Sequence, residues 1–296
     1  MELRHLRYFV AVAEELHFGR AATRLLIVQP SLSQQIRQLE DELGFPLLRR
    51  TKRSVELTDA GKVFLSKARE VLAQVQDAKR AAQRAYRGEV GRLVVGYISS
   101  SAFDLLPMML RAYRERFPQV EVALREMTTQ EQIRALEEDH IQIGLLRLPI
   151  STPMVSVEVV RREPIVCVLP EEHPLAQHER IAISQLAHEP FVLQSRQIGG
   201  GYYVQLMKLC LSFGFTPHVI QEVTETYAIV SLVAAGIGIS LVPLSTRNIR
   251  SQGVVYRELE GTDAQTEIAV AWQRNTHSAI VKNFLTVVKE IAPNLT

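Results

Sequence analysis

A chain of 296 residues, 47% hydrophobic and 22% charged, has the composition of a globular protein long enough for two or three domains, which excludes a disordered or fibrous one. The net charge of +2 hides an asymmetry: residues 1–90 hold 16 Lys/Arg against 11 Asp/Glu and the remainder 18 against 21, so the cationic surface lies in the first third. The longest apolar runs stop well short of the roughly 20 residues that a bilayer span requires, and no cationic stretch leads into an apolar one at the start, so a cytoplasmic protein with no membrane partner is expected.

Residues 18–53 read as two short helices, a tight connection and a basic hairpin. In the second helix Leu32, Ile36, Leu39 and Leu43 recur at steps of four, three and four and share one face. Ser33, Gln34, Arg37 and Gln38 point the other way. Gln29-Pro30 marks the start of this helix, because proline is tolerated in a first turn where its missing N–H has no partner. Glu40, Asp41 and Glu42 would be repelled by a phosphate backbone, so the N-terminal half is the part expected to enter a major groove. Gln29, Ser33 and Gln34 are then the candidates to approach base edges, with Pro30 beside them on the DNA-binding end, and Arg37 can serve guanine or phosphate. A surface helix with a polar outer face has the same pattern. The hairpin shifts the balance: Leu47-Leu48 leads into Arg49-Arg50-Thr51-Lys52-Arg53, after which Val55 and Leu57 alternate with polar residues. Arg50, Thr51 and Arg53 are candidates for the backbone, with Arg53 the choice for a narrow A·T-rich minor groove.

From Ala60 to about Arg87, Phe64, Ala68, Val71, Val75, Ala78, Ala82 and Ala85 form a heptad seam that predicts pairing of two protomers, the alternative being a helix packed on its own domain. Gly88 and Gly91 end it. The remainder alternates strands and helices: RLVVGYI, a helix over 105–117, VEVALRE, a helix over 131–138, and IQIGLLR, as in a mostly parallel sheet covered by helices. EPIVCVLP, around 162–170, is expected to begin a second set that ends near Val242. EIAVAWQ and a helix over 278–291 return to the first. Two such subdomains enclose a cleft.

Ser99-Ser100-Ser101 and Thr128-Thr129 follow strands and precede helices, positions that suit an anion, and Arg147 just after the third strand can add a cation. A small carboxylate is the expected ligand, although each hydroxyl taken alone is more commonly a helix cap. Cys167 and Cys210 lie in apolar surroundings and are expected to be buried thiols, and the eight histidines show no paired spacing, so neither a metal nor a cofactor is expected. Catalysis is disfavoured as well. No G-x-S-x-G surrounds the serines, and Gly199-Gly200-Gly201 lacks the Lys-Ser/Thr of a phosphate loop.

MELRHLRYFVAVAEELHFGRAATRL, QPSLSQQIRQLEDELG and LLRRTKRSVELTDAG resemble the N-terminal domain of LysR-type transcriptional regulators, almost without a gap over the first sixty residues. The resemblance implies a first helix from Glu2 to about Leu16 whose Leu3, Leu6, Phe9, Val10 and Ala13 close the small core. It also implies a mostly α winged helix-turn-helix domain at 1–58, a long linker and dimerisation helix at 59–88, and an α/β effector domain at 89–296. The last has two subdomains like those of periplasmic solute-binding proteins, I at about 89–162 and 267–296 and II at about 163–266. FDLLPMML, REMTTQEQ, GLLRLP and LVAAGIGISLVP are most similar to the branch that contains muconate-responsive regulators of aromatic catabolism and the acetoin-pathway regulators. Aligned on these motifs, Ser100, Thr129, Arg147 and Tyr202 correspond to contacts of a dicarboxylate, with Ser99 and Thr128 beside them. Gln142, where the family usually has aspartate, and the glycine run before Tyr202 depart from the pattern. The implied partners are double-stranded promoter DNA, a small carboxylate effector and further copies of the chain as dimers and tetramers, with RNA polymerase as another candidate. A rival reading is an architectural DNA-binding protein that has no effector.

Overall fold

The computed structural model describes residues 1–51, 54–249 and 252–292. The chain forms two compact units, Met1–Arg84 and Ala85–Thr296.

In the first unit, helices α1 (Leu3–Glu15), α2 (Phe18–Leu25) and α3 (Gln29–Leu43) precede a two-stranded hairpin, β1 (Leu48–Arg50) and β2 (Val55–Leu57), and then helix α4 (Asp59–Tyr86). The turns after α1 and α2 pass through Leu16 and Leu26, both in the left-handed region. The α3 stripe read from sequence is the buried one: Leu32, Ile36 and Leu39 are fully inaccessible and pack with Leu6, Phe9, Val12 and Ala21. Two expected members of the α1 face differ. Leu3 is exposed in the first turn, and Val10 is only partly buried. His5 is buried instead, where its Nε2 lies 3.1 Å from Gln35 Oε1 and its Nδ1 accepts from the Glu2 N–H at 3.2 Å. That ring fastens α1 to α3 and closes the first turn of α1, a role that no hydrophobic periodicity reveals.

The heptad seam of α4 divides. Phe64 meets Phe9 edge-on at 5.2 Å, and Ala68 is buried against the same core, so the first part of the seam packs locally rather than on another protomer. Val71, Ala78, Ala82 and Ala85 are exposed in the single chain, with Val75 half-buried. Gly61 lets α4 approach the hairpin, since a Cβ there would stand 2.1 Å from the Leu47 carbonyl oxygen.

The second unit contains β3 (Gly91–Tyr97), a 3-10 turn (Ser99–Phe103), α5 (Leu105–Arg116), β4 (Val120–Glu126), α6 (Thr129–Glu137), β5 (Ile143–Arg147) and β6 (Val155–Pro170). There follow β7 (Arg180–Ala182), β8 (Pro190–Gln194), α7 (Arg196–Ser212), β9 (His218–Val223), α8 (Thr226–Ala234), β10 (Ser240–Pro243), β11 (Val254–Glu260), β12 (Gln265–Gln273) and α9 (Ala279–Ile291). Among the described residues one sheet runs β4-β3-β5-β12-β6-β11-β7, with β10 also on β6 and with β8 and β9 as a separate parallel pair. The expectation of a mostly parallel sheet needs correction. β3 is parallel to β4 and β5, and β7 to β11, but β12 is antiparallel to β5 and β6, and β6 to β10 and β11. The strand around 162–170 does not begin a second set, either: it is the second half of β6, a 16-residue strand shared by both lobes. Strands that cross between lobes in opposite directions must pair antiparallel.

Each lobe has its own core. Leu93, Met109, Tyr113, Ile143, Val270 and Phe284 anchor the first, and Ile165, Phe191, Leu206, Cys210 and Leu241 the second. Both cysteines are free and buried. Burial pushes the Cys210 thiol up to about 11 and that of Cys167 higher still, so both remain neutral.

A Gly61→Ala substitution improves helix propensity but drives a methyl into the Leu47 carbonyl, and overpacking of this kind costs about 1–3 kcal/mol. Hydrogen exchange should therefore speed up in α1–α3 of this variant and stay unchanged in α9. Unchanged protection throughout would show that the contact is relieved at no cost.

Candidate functional site

The carboxyl ends of β3, β4 and β5 converge with those of β8, β9 and β10 on a cavity of about 170 Å³, the place where open α/β sheets take ligands. The six residues nominated from sequence, Ser99, Ser100, Thr128, Thr129, Arg147 and Tyr202, all line it. Gln194, Thr224, Glu225 and Thr226 complete its polar wall on the second lobe, beside Leu206, Ile229 and Leu241.

Arg147 organises the interior. It ends a strand whose five residues are all buried, and only 8% of its own surface is accessible. Its Nη1 donates to Thr266 Oγ1 at 2.9 Å, its Nη2 donates to Ser100 Oγ at 3.2 Å, and both lie 3.4 Å from Glu163 Oε1. Its backbone N–H donates to Thr129 Oγ1 at 3.3 Å. Glu163 is itself buried, and its other oxygen accepts from the Ser245 N–H at 2.7 Å, so one carboxylate ties β5 to the turn that follows β10. Glu163 and Thr266, which arrive on β6 and β12, are partners of Arg147 that are not among the candidates from sequence. One signal existed, a glutamate heading the otherwise apolar run EPIVCVLP.

The remaining nominated residues divide by role. The Tyr202 ring lies 5.4 Å from the Arg147 guanidinium, and its hydroxyl donates to the Leu241 carbonyl at 3.3 Å. Burial pushes this phenol far above its ordinary range, so it remains a neutral donor. Thr128 is a helix cap: its Oγ1 accepts from the Glu131 N–H at 3.3 Å and donates to Glu131 Oε2 at 2.9 Å, while its own N–H donates to the same oxygen at 2.8 Å. Those bonds hold the Glu131 carboxyl below the usual carboxylate range. Ser101, fully buried, donates to the Ile98 carbonyl at 2.7 Å.

The glycine run shapes the wall opposite. Helix α7 breaks at Gly200, with φ 44° and ψ −118°, and a Cβ on Gly201 would stand 2.8 Å from the Pro149 carbonyl oxygen. These glycines allow α7 to close against the first lobe. Gln142 clasps the neighbouring strand, since its Oε1 accepts from the Val94 N–H at 2.9 Å. A second tie joins the lobes where Asp104, at the start of α5, accepts from Arg161 Nη1 at 2.7 and 2.8 Å and from Asn248 Nδ2 at 3.1 Å.

On the first unit, Gln29, Pro30, Gln34 and Arg37 are exposed along α3 and Ser33 is half-buried. Residue Val28, which caps α3, makes no side-chain hydrogen bond, so the first-turn amides have no capping group of their own. Leu26 and Val28 stand 92% and 69% exposed at the same end, an unusual cost in water for apolar side chains in a turn. Two expectations change. Glu40 does not face outward to repel phosphate: its Oε1 accepts from the Leu47 and Leu48 N–H groups at 2.9 and 3.0 Å, and its Oε2 accepts from Arg50 at 2.6 Å. Arg50 in turn stacks over Phe18 at 4.9 Å, so it anchors the hairpin. Thr51 closes the hairpin tip by accepting from the Ser54 N–H at 2.9 Å. Arg53 lies outside the described residues. No described helix is long and apolar enough to cross a membrane, and no cluster of described His, Cys, Asp or Glu residues suits a metal ion.

A helix-turn-helix unit followed by a two-lobed α/β unit with a polar cavity defines a DNA-binding transcriptional regulator that carries an effector-binding domain, not an enzyme. Two family models bear this out: Bacterial regulatory helix-turn-helix protein, lysR family, over residues 3–62, and LysR substrate binding domain over 86–293. The chain belongs to the LysR family. It is 42% identical to the HTH-type transcriptional regulator AlsR of Bacillus subtilis over 96% of this chain and 94% of that one. It is 36% identical to the regulator BenM of Acinetobacter baylyi, over 98% and 96%. Full-length CbnR, in a crystal structure with its target DNA, superposes with a TM-score of 0.82 at 29% identity over 99% of this chain and all of that one.

Removing one partner of a buried ion pair strands the other charge at a cost of about 3–5 kcal/mol. Glu163→Ala should therefore lower the thermal stability of the second unit, as followed by the fluorescence of Trp272, the only tryptophan. Glu163→Gln, which keeps an acceptor for Ser245 and Arg147, should lower it less. Equal melting of all three proteins would mean that Arg147 finds other partners without penalty.

Proposed function

We propose that this chain is a sequence-specific regulator whose hold on promoter DNA is set by a small carboxylate bound at Arg147. The observation that carries the reading is the convergence of a buried guanidinium with the Ser100 and Thr129 hydroxyls on a cavity at strand carboxyl ends. A carboxylate accepts bidentate donation from arginine and further bonds from hydroxyls. The cavity lies between lobes, so a ligand that touches both stabilises one arrangement of them, and its differential affinity for the two arrangements supplies the energy of the switch. On this reading residues 1–58 read DNA, 59–88 pair two protomers along the exposed part of the α4 seam, and 89–296 sense the effector. Changes between the lobes then alter the spacing of paired reading heads and the bend of bound DNA, in dimers that assemble further into tetramers.

For the DNA side, the exposed first turn of α3 supports insertion by its N-terminal end. Gln29 and Gln34 then face adenine edges, Arg37 faces guanine or phosphate, and Leu26 and Val28 suit thymine methyl groups. An operator is first selected from random duplexes. On that operator Gln29→Ala or Gln34→Ala should weaken binding by about 1–3 kcal/mol, with little change on scrambled DNA. Equal losses on both DNAs in fluorescence anisotropy would sink base reading by these residues.

For the effector side, Ser100→Ala and Thr129→Ala should leave operator affinity intact and raise the carboxylate concentration for a half-maximal change in DNA bend about tenfold each, the worth of a hydrogen bond to a charged group. A bend that no carboxylate alters would favour the architectural reading.

A further inference from the structure

Helix α8 brings unsatisfied donors to the cavity. Thr226 and Ile229, three residues apart on one face of the helix, both line it, as does Glu225 before them. The Glu225 side chain stands at the capping position but makes no hydrogen bond to the helix. The Ala228 and Ile229 amides donate to the Glu225 carbonyl, whereas those of Thr226 and Tyr227 have no acceptor among the described residues. The side chain of Thr226 is an independent sign. Only 8% of the residue is exposed, and its hydroxyl has no hydrogen-bond partner among the described residues. The Ser240, Ser245 and Thr246 hydroxyls are also unpartnered, but they are sealed inside the protein, while Thr226 borders the cavity. Leaving a buried hydroxyl unpaired costs free energy, and an oxygen supplied from the cavity recovers it.

The opposite wall offers donors too. Ser100 Oγ and Thr129 Oγ1 each accept from Arg147, which leaves their hydrogens for a ligand. The two walls differ in charge. Arg147 is the sole Lys or Arg among the described lining residues. The start of α8 carries only the partial positive charge of a helix end, about half a unit, and the glutamate at its capping position offsets it. An anionic group therefore belongs at Arg147 and an uncharged oxygen at α8.

We infer that Thr226 and the first turn of α8 form a second effector contact, and that the effector is a carboxylate bearing a further uncharged oxygen, hydroxyl or carbonyl, for that contact. This rests on the carboxylate reading above and narrows it. An effector of this kind touches α8 in the second lobe and Arg147 in the first, so it joins the two by hydrogen bonds at both ends.

Titration calorimetry on the full-length protein tests it. The probes are 3-hydroxypropionate, 4-hydroxybutyrate, 5-hydroxyvalerate and 4-oxopentanoate, each against the unsubstituted monocarboxylate and the dicarboxylate of matched length. At one chain length the oxygen-bearing monocarboxylate should bind about tenfold tighter than its unsubstituted counterpart, the worth of a hydrogen bond, and tighter than the dicarboxylate. Thr226→Val, which removes the hydroxyl at nearly constant shape, should bring that preference close to unity, and Thr226→Ser should restore it. A variant that had merely misfolded would lose both classes together and would not be rescued by serine. A preference that persists undiminished in Thr226→Val overturns the α8 contact. A dicarboxylate that binds as tightly as its hydroxy counterpart, or an unsubstituted acid that does so at every length, overturns the uncharged second oxygen and leaves the carboxylate reading standing. Absence of binding across the whole set overturns both.

Discussion

Placing the guanidinium of Arg147 inside the second unit removes it from water, and an uncompensated charge in such a place costs several kcal/mol. The protein compensates with acceptors from three separate stretches of chain, Ser100 after β3, Glu163 on β6 and Thr266 on β12, while Thr129 at the start of α6 accepts from the Arg147 backbone N–H. Much else follows from that requirement. The strand ends that supply these groups must converge, and the space they leave around the guanidinium is the cavity. Because Glu163 also holds the Ser245 amide, the charge that stabilises the first lobe's strand end also ties it to the second lobe.

The same arrangement makes the two lobes mechanically connected. β6 runs through both, and β12 pairs along most of its length, so a shift of one lobe bends strands rather than a loose linker. Among the described residues, contacts that bridge the lobes elsewhere include the polar Asp104 junction with Arg161 and Asn248 and the close approach of the glycine run to Pro149. Polar bridges and close backbone approach can be remade at modest cost, as a ligand-set equilibrium between two arrangements requires.

In the first unit the division of labour among charges is the main lesson. Glu40 and Arg50 look like surface charges of opposite meaning for DNA, yet they neutralise each other and hold the hairpin to the end of α3. What remains outward on α3 includes the uncapped first turn with Gln29, and Gln34 and Arg37 beyond it. The hairpin is thus placed by an internal salt bridge that leaves the polar face of α3 unobstructed.

Local patterns of the sequence by themselves determined the helix-turn-helix, the register of α3, the long α4 and five of the six cavity residues, because each of these depends on spacing within one element or on position at the end of a strand; Tyr202, inside α7, came from the family resemblance. Leu32, Ile36 and Leu39 recur at helical steps, and such periodicity reports burial directly. Only the tertiary structure decided that β6 is one strand serving two lobes, that the start of the α4 seam packs on Phe9, that His5 is a core residue, and that Arg147 is paired. Glu163 and Thr266 lie 16 and 119 residues from Arg147 in the chain. A charge pair carries no periodicity, and its members are brought together by the apolar packing of the strands that bear them, so the pairing that governs the cavity is legible only after the fold has formed.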